Sequence, residues 1–113
     1  MFTLKTNNPV AVDSPDHLHP HGTANDNYTS KELITELENY VGLLNGLDED
    51  GNYNEPISIL DIGCAGGQFV VDCVERGHIA VGLEGSDYSL IHERANWPHP
   101  NLFTCDVTKP FDL

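Results

Sequence analysis

The chain has 113 residues, enough for one domain and too few for two. Eighteen Asp and Glu face five Lys and Arg, a formal net charge of -13. Such a surface repels polyanions, so nucleic acid and anionic membrane are not expected as partners, although acidity also serves plain solubility. The three cysteines, Cys64, Cys73 and Cys105, are an odd number without a secretory leader, so a disulfide framework is not expected. They form no C-x-x-C or Cys/His pair at zinc-ligand spacing, and no metal site is expected. The N-terminus lacks a signal peptide's apolar core. No run approaches the ~18 apolar residues of a membrane helix. A soluble, cytoplasmic protein is expected.

Residues 1–29 are polar, carry Pro9, Pro15 and Pro20, and show no sustained period, as in an N-terminal arm. A helix is expected over 30–45, capped by Thr29 or Ser30 and burying a stripe of Leu33, Ile34, Leu37, Val41 and Leu44. An acidic loop, Asp48-Glu49-Asp50-Gly51-Asn52, follows. After Pro56 the pattern changes. Ile57-Ser-Ile-Leu-Asp-Ile62 is a short β-branched apolar run, as in a strand covered on both faces. Gly-rich residues 63–67 turn the chain. Phe69, Val70, Cys73 and Val74 recur at helical spacing, and Gly77 stops that helix near Arg76. Ile79–Glu84 reads as a second strand. Ser86 or Asp87 caps a helix reaching Asn96, which Pro98 and Pro100 end. Leu102–Cys105 reads as a third strand.

Strands and helices alternating in this way give an α/β fold with a parallel sheet. Lys109-Pro-Phe-Asp-Leu113 resembles the approach to a fourth strand. Three strands alone would leave the first strand's edge open and apolar, so the chain reads as a truncated piece of a larger domain.

A Gly-rich turn between a parallel strand and a helix lets a ligand approach the backbone closely. Its spacing narrows the choice. A dinucleotide fingerprint needs glycine at the first, third and sixth positions, and from Gly63 the third is Ala65 and the sixth Gln68. The alternative is an acid two residues before the first glycine and small residues at alternate positions. Asp61, Gly63, Ala65 and Gly67 supply it, with Cys64 inside the loop. Glu84 stands at the end of the second strand, 21 residues after Gly63, where a carboxylate can accept from ribose hydroxyls. Asp106 follows the third strand, 22 residues beyond Glu84. Taken singly, Glu84 could be a solvated strand-end acid and Asp106 a turn former.

With these three carboxylates the chain resembles the class I, Rossmann-like methyltransferases that use S-adenosylmethionine. Asp61–Gly67 is similar to their first motif, Asp-x-Gly-x-Gly-x-Gly, with Ala65 in place of the middle glycine. Val81-Gly-Leu-Glu-Gly-Ser86 resembles their second motif. The resemblance implies the N-terminal part of a Rossmann-like sheet with flanking helices, only its first three strands present, over 30–113. It implies a cofactor site of Asp61, Gly63, Cys64, Ala65, Gly67, Glu84, Gly85, Asp106 and Val107. Asp61 would organise the loop and the cofactor ammonium, Glu84 would hold the ribose, and Asp106 with Val107 the adenine. The implied activity is methyl transfer to a small-molecule or sugar acceptor. In such enzymes the acceptor-side residues follow the fourth strand, so no catalytic residue is named.

The arm carries His17, His19 and His21 at alternate positions. An extended chain would put them on one face, but no carboxylate or Cys at ligand spacing completes a metal set. Residues 14–27, together with Gly82-Leu-Glu-Gly-Ser-Asp-Tyr88, resemble a group of small sugar- or metabolite-type methyltransferases, which implies that the arm folds over the cofactor pocket and contacts substrate through His21, Thr23 or Asn27. Cys64 has no adjacent base, and a buried small residue is expected there rather than a nucleophile. Trp97 and Tyr88 are expected to be packing or surface residues rather than a substrate cage. Two rival functions remain: a nicotinamide-dependent oxidoreductase fragment, and a non-catalytic nucleoside-binding or interaction module.

Overall fold

The computed structural model describes residues 2–5, 31–45 and 55–113. The element order is α1 (Lys31–Asn45), β1 (Ser58–Ile62), α2 (Gln68–Glu75), β2 (Ile79–Glu84), α3 (Tyr88–Ile91) and β3 (Leu102–Thr104). The strands form one parallel sheet in the order β1-β2-β3. Asp61 pairs with Gly82 and Glu84 with Thr104, so the carboxyl ends of all three strands lie side by side.

Strand pleating gives the sheet two faces. Ile59, Ala80 and Leu102 share the face covered by helices, where Val70 and Cys73 of α2, Ile34 of α1, Cys64 and Trp97 complete the core. Fully burying an aliphatic side chain such as Val70 or Ile34 contributes about 1.5–3 kcal/mol. The stripe of Phe69, Val70, Cys73 and Val74 makes α2 amphipathic, and a Schellman stop ends it. Gly77, at φ +89°, donates its N–H to Val74 O, and His78 donates to Cys73 O.

Among the described side chains of helix α1, Ile34 is buried and Glu38 forms a polar knot. Ile34 is fully buried, while Glu38 accepts from Arg76 and lies 3.0 Å from His78 Nε2. The other ring nitrogen, Nδ1, accepts from the Ile57 N–H, so His78 joins α1 to the start of β1. The expected apolar stripe is therefore narrower than the periodicity suggests. Leu33 is exposed, Leu37 and Val41 are half-buried, and the Leu44 side chain lies outside the described residues.

The opposite face is covered by segments without helices. Phe2 and Leu4 pack with Phe103, Val107 and Phe111 over Val81, Leu83 and Cys105. Lys5 and Asp112 exchange backbone hydrogen bonds in an antiparallel bridge that ties these segments together. This cover does not close over β1. Leu60, Ile62 and Ile79 remain 45%, 57% and 47% exposed, which corrects the expectation of a first strand covered on both faces. No strand among the described residues pairs with its outer edge.

A second correction concerns α3, which is one turn long and does not reach Asn96. Ser86 Oγ accepts from the Tyr88 N–H, and Asp87 makes no capping hydrogen bond. Glu93 and Ala95 adopt left-handed φ of +51° and +53°, breaking the helix because Asn96 and Trp97 are drawn onto the glycine loop. Tertiary hydrogen bonds here override helix propensity.

Candidate functional site

The glycine loop leaves the carboxyl end of β1 and enters α2. Gly63, Ala65 and Gly67 have φ of +82°, +51° and +84°. The alternate-position pattern in the sequence is thus an alternation of left-handed backbone, a conformation natural to glycine and costly for alanine. Gly67 is required for a second reason. A Cβ there would run into the Leu102 side chain. Gly82 on β2 permits the same close approach from below, since its Cβ would stand 2.8 Å from Cys64 Sγ and 2.9 Å from Leu102 Cδ2.

Four of the loop's N–H groups, those of Gly63, Cys64, Ala65 and Gly67, are turned inward. Gly63 and Cys64 both donate to Leu83 O, at 2.7 and 3.0 Å, and Gly67 donates to Cys64 O at 2.9 Å. Ala65 donates to Glu84 Oε1 at 3.1 Å. The other carboxylate oxygen, Oε2, accepts from the Ser86 N–H at 2.9 Å. Glu84 is 4% exposed, so this strand-end acid is a buried anchor between the loop and the turn after β2.

Asp61 differs. It is half-buried, and its carboxylate has no hydrogen-bond partner among the described residues; desolvation pushes its pKa above the ordinary aspartate value. Asp61 and Glu84 are both close enough to Cys64 to raise its thiol pKa, after the larger effect of burial. Cys73 is pushed up to about 11, first by burial and then by Asp61 and Asp72. These thiols stay protonated at neutral pH, and neither is an activated nucleophile.

Asp106 is engaged within its own turn. Its Oδ1 accepts from the Thr108 N–H at 3.0 Å and the Thr108 hydroxyl at 2.5 Å, and Lys109 Nζ lies 3.8 Å from Oδ2. These partners hold its carboxyl below the ordinary aspartate range, the Thr108 hydroxyl contributing most. Val107 points into the core beside Leu83 and Cys105, while Gly85 is exposed with open space where a Cβ would stand. The structure therefore brings Asp61, Gly63, Cys64, Ala65, Gly67 and Glu84 into one cluster, with Asp106 on the adjacent strand end and committed to a local turn. His17, His19, His21, Thr23 and Asn27 lie outside the described residues.

Asn96 and Trp97 make contacts to the loop that the sequence did not reveal. The Trp97 indole N–H donates to Ala65 O at 2.8 Å, and Asn96 Nδ2 donates to Gly66 O at 3.1 Å. Nothing in their spacing points to a loop some thirty residues earlier. Among the described residues no group of His, Cys, Asp and Glu could hold a metal ion, and no helix is long and apolar enough to cross a membrane. The cluster is one of carboxylates and inward-turned amides, suited to a ligand with positive charge and hydroxyls. No family model matches the chain, and no curated protein or solved structure matches it.

Proposed function

We propose that this chain is the cofactor-binding half of a Rossmann-like, S-adenosylmethionine-dependent methyltransferase acting on a small-molecule or sugar acceptor. One observation carries the reading: at the end of β1 the N–H groups of Gly63, Cys64, Ala65 and Gly67 are bonded to Leu83 O, Cys64 O and Glu84, and the loop borders the half-buried carboxylate of Asp61. A pyrophosphate needs outward N–H donors and suffers beside a carboxylate. A ligand carrying an ammonium and a sulfonium gains from the same carboxylate. In α/β sheets, ligands collect beyond the carboxyl ends of the strands, which is where Asp61, Glu84 and Asp106 stand.

The residues fit the group. Asp61 would receive the ammonium, Glu84 the ribose hydroxyls, and the segment of Asp106 and Val107 the adenine, the Asp106 carboxylate leaving part of its turn to do so. When bound, the cofactor supplies an electrophilic methyl; the protein's share is to hold it in line with the acceptor. Calorimetric titration with S-adenosylhomocysteine, S-adenosylmethionine and NAD tests the reading. Saturable binding of the sulfur nucleosides without NAD is expected. Binding of NAD alone would establish the oxidoreductase rival, and binding of neither would leave a non-catalytic module.

A further inference from the structure

The loop's carbonyl side is held as firmly as its N–H side. Trp97 is 4% exposed and packs in the helix-covered core, which fixes the direction of its indole N–H toward Ala65 O. Asn96 grips Gly66 O twice, through its side chain at 3.1 Å and its backbone N–H at 3.2 Å. The same side-chain amide donates to Gln68 Oε1 at 3.2 Å, and Gln68 Nε2 donates to Asp72 Oδ1 at 3.0 Å. The loop crest is thus tied down to the first turns of α2.

Ala65 is the residue under strain, since an alanine at φ +51° sits in a left-handed conformation that its Cβ disfavours. Its N–H is bonded to Glu84 and its C=O to Trp97, so the peptides on both sides of the strained residue are oriented from outside the loop. Two further left-handed residues, Glu93 and Ala95, shape the turn that delivers Asn96 and Trp97. Strain of this kind persists only where surrounding contacts impose it.

We propose that Asn96 and Trp97 are positioning residues: together they clamp the carbonyls of Ala65 and Gly66, hold Ala65 left-handed and so keep the loop ready for its ligand. The ligand itself rests on the function proposed above, whereas the clamp does not. Trp97 is the sole tryptophan, so its fluorescence reports on the clamp directly.

The test compares Trp97→Phe, which keeps an aromatic ring and loses the N–H donor, with Asn96→Ala, each alone and with Ala65→Gly. Amide hydrogen exchange at Ala65 and Gly67 is read first, without ligand. Exchange about tenfold faster in each single variant is expected for the loss of one hydrogen bond. Glycine adopts the left-handed conformation unaided, so in the Ala65→Gly background the acceleration should shrink severalfold. S-adenosylhomocysteine affinity should fall about three- to tenfold in the single variants and recover in part with Ala65→Gly. Trp97 emission in the parent should change along the same binding curve. Unchanged exchange in both variants, or equal acceleration with and without Ala65→Gly, overturns the clamp. If the parent binds no S-adenosylhomocysteine, the methyltransferase reading falls and exchange alone decides the clamp. If the parent binds, unchanged affinity in both variants overturns the positioning role.

Discussion

The ends of β2 and β3 each present a carboxylate, and the two are used in opposite ways. Glu84 is buried and receives N–H groups from Ala65, nineteen residues back, and from Ser86. Asp106 is one-third exposed at its side chain and is satisfied by Thr108 and Lys109, its own neighbours. A local turn can form wherever Asp precedes a suitable hydroxyl. An anchor between two elements forms only in the folded chain. Glu84 therefore reports on the architecture of the loop, and Asp106 reports on its own turn.

Replacing Glu84 gives the largest contrast. Glu84→Ala leaves one buried and one part-buried N–H group without acceptors and should lower stability by about 3 kcal/mol in urea denaturation. The same experiment on Asp106→Ala should move the midpoint far less. Equal losses at the two positions would erase the distinction. Any ligand-affinity loss in Glu84→Ala must accordingly be measured on the folded fraction, because the side chain builds the loop that would bind.

Gly82→Ala should come next, at about 2–3 kcal/mol, because the added Cβ meets Cys64 and Leu102 at 2.8–2.9 Å. The strand beneath the loop would have to shift, and the loop with it. A substitution tolerated within about 0.5 kcal/mol would mean that the loop is not seated on β2.

Much of this arrangement is legible in the residues. The β-branched runs marked the strands to within a residue, Gly77 marked the end of α2, and the alternate small residues at 63, 65 and 67 coincide with left-handed φ. What could not be read is non-local. Helical spacing cannot anticipate that Asn96 and Trp97 leave α3 for two carbonyls of the loop. Nor does an apolar run disclose that the cover over Val81 and Leu83 stops short of Leu60 and Ile62. Glu84 was recognisable as a strand-end acid, but its burial depends on the Ala65 amide arriving from another element.

Asp61 sharpens the contrast in a smaller way, because it is a strand-end acid without a hydrogen-bond partner among the described residues. Its pKa is raised by desolvation, so the folded state holds the proton more tightly than the unfolded chain. Its contribution is most favourable below the unfolded pKa and is lost as pH rises through the folded value. Asp61→Asn should therefore raise stability at neutral pH, by less than about 0.5 kcal/mol given solvent screening. It should flatten the mildly acidic part of the stability profile and weaken S-adenosylhomocysteine binding. A variant less stable at pH 7 would reveal a partner that Asp61 needs.

The smallest effect is a titration. Asp106 should ionise below the ordinary aspartate value, because the Thr108 hydroxyl and N–H donate to Oδ1 and Lys109 lies near Oδ2. The sign is opposite to that of Asp61: its stabilising contribution is present above the unfolded pKa and is lost as pH falls through the folded one. Thr108→Val deletes the hydroxyl and keeps the backbone donor, so the carboxyl titration followed by NMR should rise only part of the way toward the ordinary value. Adding S-adenosylhomocysteine to the parent then separates two roles for the residue. If Asp106 meets the ligand's adenine amino group, its carboxyl resonance must shift on binding, since the Thr108 bonds compete for the same oxygens. A resonance indifferent to saturating ligand would assign the carboxylate to its turn alone, leaving the backbone beside Val107 to face the ring.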